Sequence, residues 1–216
     1  MSKVVKIDEI KDELKDGQSI MFGGFLECGT PDKLIDVLHE IDIKNITLIA
    51  NDTGFPKKSL GSLVVEKRVE KVIASHVGTN PQTGNQMNNE EIDVELVPQG
   101  TLAERIRSKG AGLGGFLTPT GVGTVVEDDK EKISVDGKDY LLEKPLGADV
   151  ALVKAWKADE SGNLIYRYSA RNFNPLIAMA ADLVIVEAEE IVPVGELEPN
   201  EVMTPGIFVD HVVDFS

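Results

Sequence analysis

The chain has 216 residues, 42% hydrophobic and 27% charged, which is enough for a buried core without disulfide or metal staples. Lys and Arg number 22 against 37 Asp and Glu, a net charge of −15, which argues against a nucleic-acid binder or an anionic-membrane surface. A single cysteine, Cys28, precludes an intrachain disulfide, and with His39, His76 and His211 it makes no zinc-site spacing. The N-terminus meets Asp8 and Glu9 before any apolar run of signal-peptide length, so the expectation is a soluble, cytoplasmic protein.

In chain order, apolar runs of strand length alternate with segments of helical period, the pattern of an α/β fold with a mostly parallel central sheet flanked by helices. Predicted strands are Ser19–Phe22, Ile46–Ala50, Val72–Ser75, Val94–Val97, Val150–Ala155 and Leu183–Val186. The runs at 46–50 and 183–186 are almost uninterrupted, as expected for strands covered on both faces. Between the first two strands, Leu34, Ile35, Leu38 and Ile41 form one apolar helical stripe over Pro31–Ile41, with Thr30 as the expected cap and Pro31 at the first position. Thr101 and Glu104 fit a capping box opening a helix to about Ser108. The segment 110–126 has no charged residue and six glycines, so it is no membrane helix and reads as an irregular loop. Asp136-Gly137 between two alternating runs predicts a β-hairpin insert, and Asn172–Ala181 predicts a short buried helix. No linker or repeat divides residues 1–216, so one domain is expected.

Three segments are candidates for chemistry. Asp16 to Pro31 runs from a strand through Gly23-Gly24 to a helix start, where glycines admit close approach and unpaired N–H groups attract anions. Its spacing is neither a Walker loop nor a dinucleotide fingerprint. The loop Gly110–Thr124, apolar and uncharged, reads as a contact surface for ligand or partner. Gln99 stands where a strand gives way to a helix, the edge at which parallel sheets place binding residues. Thr79–Asn85 and Ser169–Pro175 read as polar turns after strands, and Arg171 is suited either to a phosphate or to one of the many acids. Asp52 and Glu104 stand out from the other acids by nothing in their local sequence. Cys28 lies close to a helix start but is more suited to packing than to attack. No Gly-x-Ser-x-Gly elbow or triad context is present.

These residues match a known pattern. Asp16-Gly17, five residues, Gly23-Gly24-Phe25, three residues and Gly29-x-Pro31 together resemble the signature of family I coenzyme A transferases. Leu48–Thr53, Ile73–Asn80, Pro98–Leu102, Gly110–Thr124 and Ser169–Pro175 extend the resemblance to essentially the whole chain, as the α subunit of the acetoacetate-type branch. The resemblance implies a CoA-transferase/sugar-isomerase-like fold and a ping-pong exchange of CoA between a short-chain acyl-CoA and a carboxylate such as acetoacetate, butyrate or acetate. In that family a glutamate of the β subunit, in a Ser-Glu-Asn-Gly type motif, attacks the acyl-CoA and then carries CoA as a thioester. No Glu-Asn-Gly run occurs in this chain. By the same implication Gly24, Phe25, Leu26, Glu27, Cys28, Gly29 and Thr30 contact CoA, Gln99 is an oxyanion donor, and the partner is a β subunit in an α2β2 assembly. Coenzyme A is then a substrate, and neither a cofactor nor a metal is expected. The alternative reading is a non-catalytic ligand sensor or a sugar-phosphate isomerase-like domain of the same fold.

Overall fold

The computed structural model describes residues 2–216. In chain order the first half reads β1 (Val4–Lys6), α1 (Ile7–Lys11), β2 (Ser19–Phe22), α2 (Asp32–Glu40), β3 (Ile46–Asp52), α3 (Ser59–Val65), β4 (Val69–His76), α4 (Pro81–Asn88), β5 (Asp93–Leu96) and α5 (Gln99–Gly110). The second half reads β6 (Phe116–Thr118), β7 (Lys132–Val135), β8 (Lys138–Glu143), β9 (Ala148–Asp159), β10 (Leu164–Ile165), α6 (Asn174–Ile177), β11 (Ala181–Val192) and β12 (His211–Asp214). The main sheet has the order β1-β12-β11-β9-β2-β3-β4-β5 with every neighbour parallel, and β10 adds to β9 antiparallel.

Alternate residues of each strand feed two cores, one on each face of the sheet. Ile20, Phe22, Leu48, Ala50, Val72, Val150 and Leu152 meet Leu34, Ile35 and Leu38 of α2 and Leu60, Leu63 and Val64 of α3. Met21, Ile49, Ile73, Ala151, Val153 and Val186 meet Leu102 and Ile106 of α5 and Phe173 and Ile177 around α6. The chain lays β2, β3, β4 and β5 in one direction, then returns to place β9, β11 and β12 on the far side of β2. The order therefore reverses between β2 and β9, and ligands of open α/β sheets bind in the crevice beyond the strand ends at such a reversal.

The six predicted strands and the hairpin are present, most of them longer than their apolar runs. The helix starts differ from expectation. Pro31 is the cap residue of α2, and the Thr30 hydroxyl donates to the Leu26 carbonyl (3.2 Å) instead of accepting from the helix. Pro98 caps α5, so Thr101 lies buried inside that helix and forms no capping box. The helix runs to Gly110 because Ile106 still reaches the core. The expected helix over 172–181 shrinks to four residues, since Pro175 and the turn into β11 leave room for a single turn. Thr79–Asn85 is not a turn alone: Asn80 caps α4 by accepting from the Gln82 N–H (3.2 Å), with Pro81 at its first position.

The glycine-rich segment also departs from a pure loop, because Phe116–Thr118 pairs antiparallel with β8 and makes a three-stranded sheet, β6-β8-β7. Asp136 and Gly137 turn the hairpin with φ of 51° and 76°, the left-handed pair that a two-residue loop requires. No helix among the described residues is long and apolar enough to cross a membrane.

Candidate active site

The carboxyl ends of β2 and β9 define the site. After β2 the chain turns sharply: Phe25 N–H donates to the Cys28 carbonyl and Cys28 N–H to the Phe25 carbonyl, both at 3.1 Å. This pairing makes a small hairpin tip of Leu26 and Glu27, with Leu26 held at φ 53°. A leucine in the left-handed region is strained by about 1–2 kcal/mol, so something must hold it there. Asp52 does so. Buried at the end of β3, it accepts from Leu26 N–H (2.7 Å), Asn51 Nδ2 (2.8 Å) and Gly54 N–H (2.9 Å). The tip consequently faces outward with Phe25 45% and Leu26 38% exposed, an apolar knob beside the crevice.

Two glycines make the approach possible. A Cβ on Gly23 would stand 1.8 Å from Asn174 Oδ1, and one on Gly29, at φ 79°, would stand 2.9 Å from the Ala170 Cα. Asn174 fills that space: its Nδ2 donates to the Gly29 and Ala170 carbonyls (both 2.9 Å) while its Oδ1 accepts from Lys154 N–H (2.8 Å). One buried amide thus fastens the loop after β2, the turn before α6 and strand β9.

The helix start behind the loop is not an open anion site. Glu187, buried on β11, accepts from the N–H groups of Lys33 (2.8 Å) and Leu34 (3.2 Å), and its other oxygen takes the Lys154 ammonium at 2.6 Å. Asp32 and Ile35 N–H donate to the Thr30 and Pro31 carbonyls. An internal carboxylate occupies the positive end of α2, contrary to the anion reading of the sequence.

Above this network lies a cavity of about 400 Å³ lined by Glu27, Cys28, Gly29, Thr30, Lys154 and Trp156, among others. It shares Trp156, Arg167 and Tyr168 with a second cavity of about 710 Å³, lined also by Tyr166, Arg171 and Met203. The Arg167 guanidinium stacks over Trp156 and Tyr168 and pairs with Glu189 at 2.8 Å. Arg171 lines this cavity and makes no ion pair with a carboxylate among the described residues. Tyr166 is buried, and desolvation pushes its phenol above the ordinary tyrosine range despite its bond to Thr204 (2.7 Å).

Glu27 pairs with Lys58 at 2.7 Å, which offsets its charge at the cavity wall. Cys28 is exposed, its sulfur 3.2 Å from Ser169 Oγ. Gln99 stands on the same edge of the sheet, three strands from β2, as the first residue of α5 with its side chain exposed. Gly24 through Thr30 therefore form one loop at the crevice, and Gln99 lies some distance along the edge. No group of three His, Cys, Asp or Glu side chains among the described residues is placed to hold a metal. The sequence reading missed Asp52, Asn174, Lys154, Trp156 and Glu187 as site residues. Asp52 and Asn174 alone carried a signal, as parts of the Leu48–Thr53 and Ser169–Pro175 segments.

The family model for coenzyme A transferase matches residues 5–214. The chain belongs to the coenzyme A transferase family. Acetate CoA-transferase subunit alpha of Escherichia coli K12 is 55% identical over 212 residues, 98% of this chain and 96% of that relative. The acetoacetyl-CoA:acetate/butyrate CoA transferase alpha subunit of Clostridium acetobutylicum is 52% identical, covering 98% and 97%. Among solved structures, glutaconate coenzyme A-transferase from Acidaminococcus fermentans matches with a TM-score of 0.84 at 20% identity, covering 98% of this chain and 75% of that one. An acyl-CoA transferase of E. coli O157:H7, in a thioester complex with CoA, gives 0.82 at 24% identity, and this transferase chain spans 47% of it. These likenesses show the transferase fold.

Proposed function

We propose that this chain is the α subunit of a heteromeric CoA-transferase that exchanges CoA between a short-chain acyl-CoA and a short-chain carboxylate such as acetoacetate, butyrate or acetate. The observation that carries the reading is the end-to-end match, at 52–55% identity, to two chains named as alpha subunits of transferases for those acids. The fold supports it with a cavity at the sheet's reversal point, floored by the loop that bears the family signature.

In this reading residues 1–216 act as one domain in the cytoplasm, and CoA is a substrate, with no cofactor required. Gly24 to Thr30 meet CoA through backbone groups and the Phe25–Leu26 knob. Gln99 donates its amide to the thioester oxygen as negative charge develops there. The nucleophilic glutamate comes from the β subunit, so that a carboxylate attack divides one exchange into two acyl transfers. An α2β2 assembly pairs each loop with one glutamate. The test is transfer from acetoacetyl-CoA to acetate and butyrate by this chain, alone and after co-expression with its β subunit. Turnover is expected only for the complex. Turnover by the purified single chain overturns the division of labour, and a complex inert toward all short acids overturns the substrate class.

A further inference from the structure

The loop after β2 holds three backbone donors that the protein leaves unused. The N–H groups of Gly24, Gly29 and Thr30 have no acceptor among the described residues, although Gly24 is buried and Thr30 is only 5% exposed. Buried N–H groups are nearly always paired, so an unpaired one beside a cavity calls for an acceptor from outside the chain. Helix α2 does not account for them. All three precede its cap residue, Pro31, and the N–H groups of Lys33 and Leu34 inside the helix already go to Glu187.

Two side-chain amides fix the direction of these donors. Asn172 Nδ2 donates to the Cys28 carbonyl at 2.8 Å, and Asn174 Nδ2 to the Gly29 carbonyl at 2.9 Å. Both amides stand on the same turn. No peptide bond among the described residues is cis, so each N–H opposes the C=O of its own peptide. The N–H groups of Gly29 and Thr30 therefore face away from that turn. Gly24 lies against the second of them. A Cβ there would stand 2.6 Å from Thr30 Oγ1 and 3.3 Å from Thr30 N, so glycine is what keeps this nitrogen open to approach.

Charge around the loop decides what kind of oxygen it takes. Lys58 is paired with Glu27 at 2.7 Å and Lys154 with Glu187 at 2.6 Å, which cancels both cations. Asp52 bonds only to N–H groups, and Asp32 joins no ion pair among the described residues. Two carboxylates thus remain without a cation, and they oppose the arrival of a phosphate or a second carboxylate. An uncharged carbonyl oxygen accepts the same hydrogen bonds without that repulsion. In CoA this description fits the two amides of the pantetheine arm, which lie between the phosphates and the sulfur.

We propose that the N–H groups of Gly29 and Thr30, with that of Gly24 beside them, bind amide carbonyls of the pantetheine arm, and that Asn172 and Asn174 are the positioning residues that aim them. The inference rests on the transferase reading and adds which part of the substrate this loop holds. The thioester oxygen is left to Gln99, further along the edge.

The test uses the complex with the β subunit. Replacing the Gly29–Thr30 peptide bond by an ester removes the Thr30 N–H and alters no side chain. Inhibition of transfer from acetoacetyl-CoA is measured for pantetheine, which carries both amides, and for adenosine 3′,5′-bisphosphate, which carries only the nucleotide end. The ester is expected to weaken pantetheine about three- to tenfold and to raise KM for acetoacetyl-CoA by a similar factor. Inhibition by the bisphosphate, and kcat, are expected to stay at parental values. Asn172→Ala, which frees the Cys28 carbonyl and lets the Gly29 peptide turn, is expected to shift pantetheine and KM in the same direction. It decides alone if the ester complex does not assemble. A general loosening of the fold would weaken both inhibitors alike, and that result overturns the proposal. So does unchanged pantetheine inhibition, or a fall in kcat with pantetheine binding intact, which would give the donors to the thioester. A parent complex that turns over beside unaltered variants overturns this inference alone, whereas a parent inert toward every acyl-CoA overturns the transferase reading and this inference with it.

Discussion

Gln99 occupies a position with little structural duty. It opens α5, its side chain is exposed, and the cap position belongs to Pro98. An amide so placed is free to serve a ligand, and a neutral donor aimed at a thioester oxygen does most when that oxygen turns negative. Gln99→Ala in the complex is expected to slow formation of the enzyme–CoA thioester by about 10²–10³-fold. The melting temperature is expected to stay within a degree or two, since no bond to the protein is lost. A rapid-quench measurement of the thioester beside a melting curve checks both halves, and an unaltered rate removes Gln99 from the chemistry. Asp52 acts on the same scale but by other means. Its hydrogen-bond partners Leu26, Asn51 and Gly54 do not line the cavity, and it holds Leu26 in a left-handed conformation, which is positioning.

At the scale of elements, the two halves of the sheet meet where β2 lies against β9, and their amino ends are tied by a charge. Asp149 Oδ2 accepts from both the N–H and the hydroxyl of Ser19, each at 2.7 Å, and the Asp149 N–H donates back to Ser19 Oγ (2.9 Å). The Ser19 hydroxyl above all, then its N–H, holds the carboxyl below the usual aspartate range. A carboxylate whose folded pKa is depressed contributes stability above its unfolded value of about 3.9, and that contribution fades as pH falls through the folded value. Asp149→Asn is therefore expected to melt below the parent at pH 7, with the gap closing as pH drops below about 4. A constant gap from pH 7 to pH 3 would assign the effect to packing. The same junction shows what the sequence made legible. Strands β3 and β11 are readable because burial on both faces demands unbroken apolar runs. β1 and β12 are not, because each is short and mixes valines with Lys6, His211 or Asp214. The helix α3 was readable in principle from Leu60, Leu63 and Val64 at helical spacing. The loop Gly23–Pro31 announced itself because glycine and proline are specific to backbone shape. Asn174 could not be assigned Gly29, nor Glu187 the start of α2, since these partners lie about 145–154 positions away and pairing at that range leaves no local trace.

For the molecule as a whole, the two ends of the chain close the sheet together. β12 inserts between β11 and β1, pairing Ile185, Val186 and Glu187 on one side and Val4, Val5 and Lys6 on the other. Lys3 reinforces the closure, its ammonium bonding the Gly206 carbonyl at 2.6 Å. Val212 and Val213 are fully buried, one in each of the two main cores. Burying two valines is worth about 3–6 kcal/mol, a large part of the roughly 5–15 kcal/mol by which a domain is stable. Removing residues 211–216 would withdraw that contribution and leave β1 without a neighbour. It would also free the edge of β11 that carries Glu187, the carboxylate holding both Lys154 and the start of α2. The loss should thus travel from the terminus to the cavity. A chain ending at Asp210 is expected to melt at least 10 °C lower, or to aggregate through the exposed β11 edge. Where it stays soluble, the thiol of Cys28 should react faster than in the full chain, because the loop it stands on has lost the helix behind it. A truncated protein with parental melting and parental thiol reactivity would show that β12 only decorates the edge, and that the cavity is held by β2, β9 and Asn174 alone.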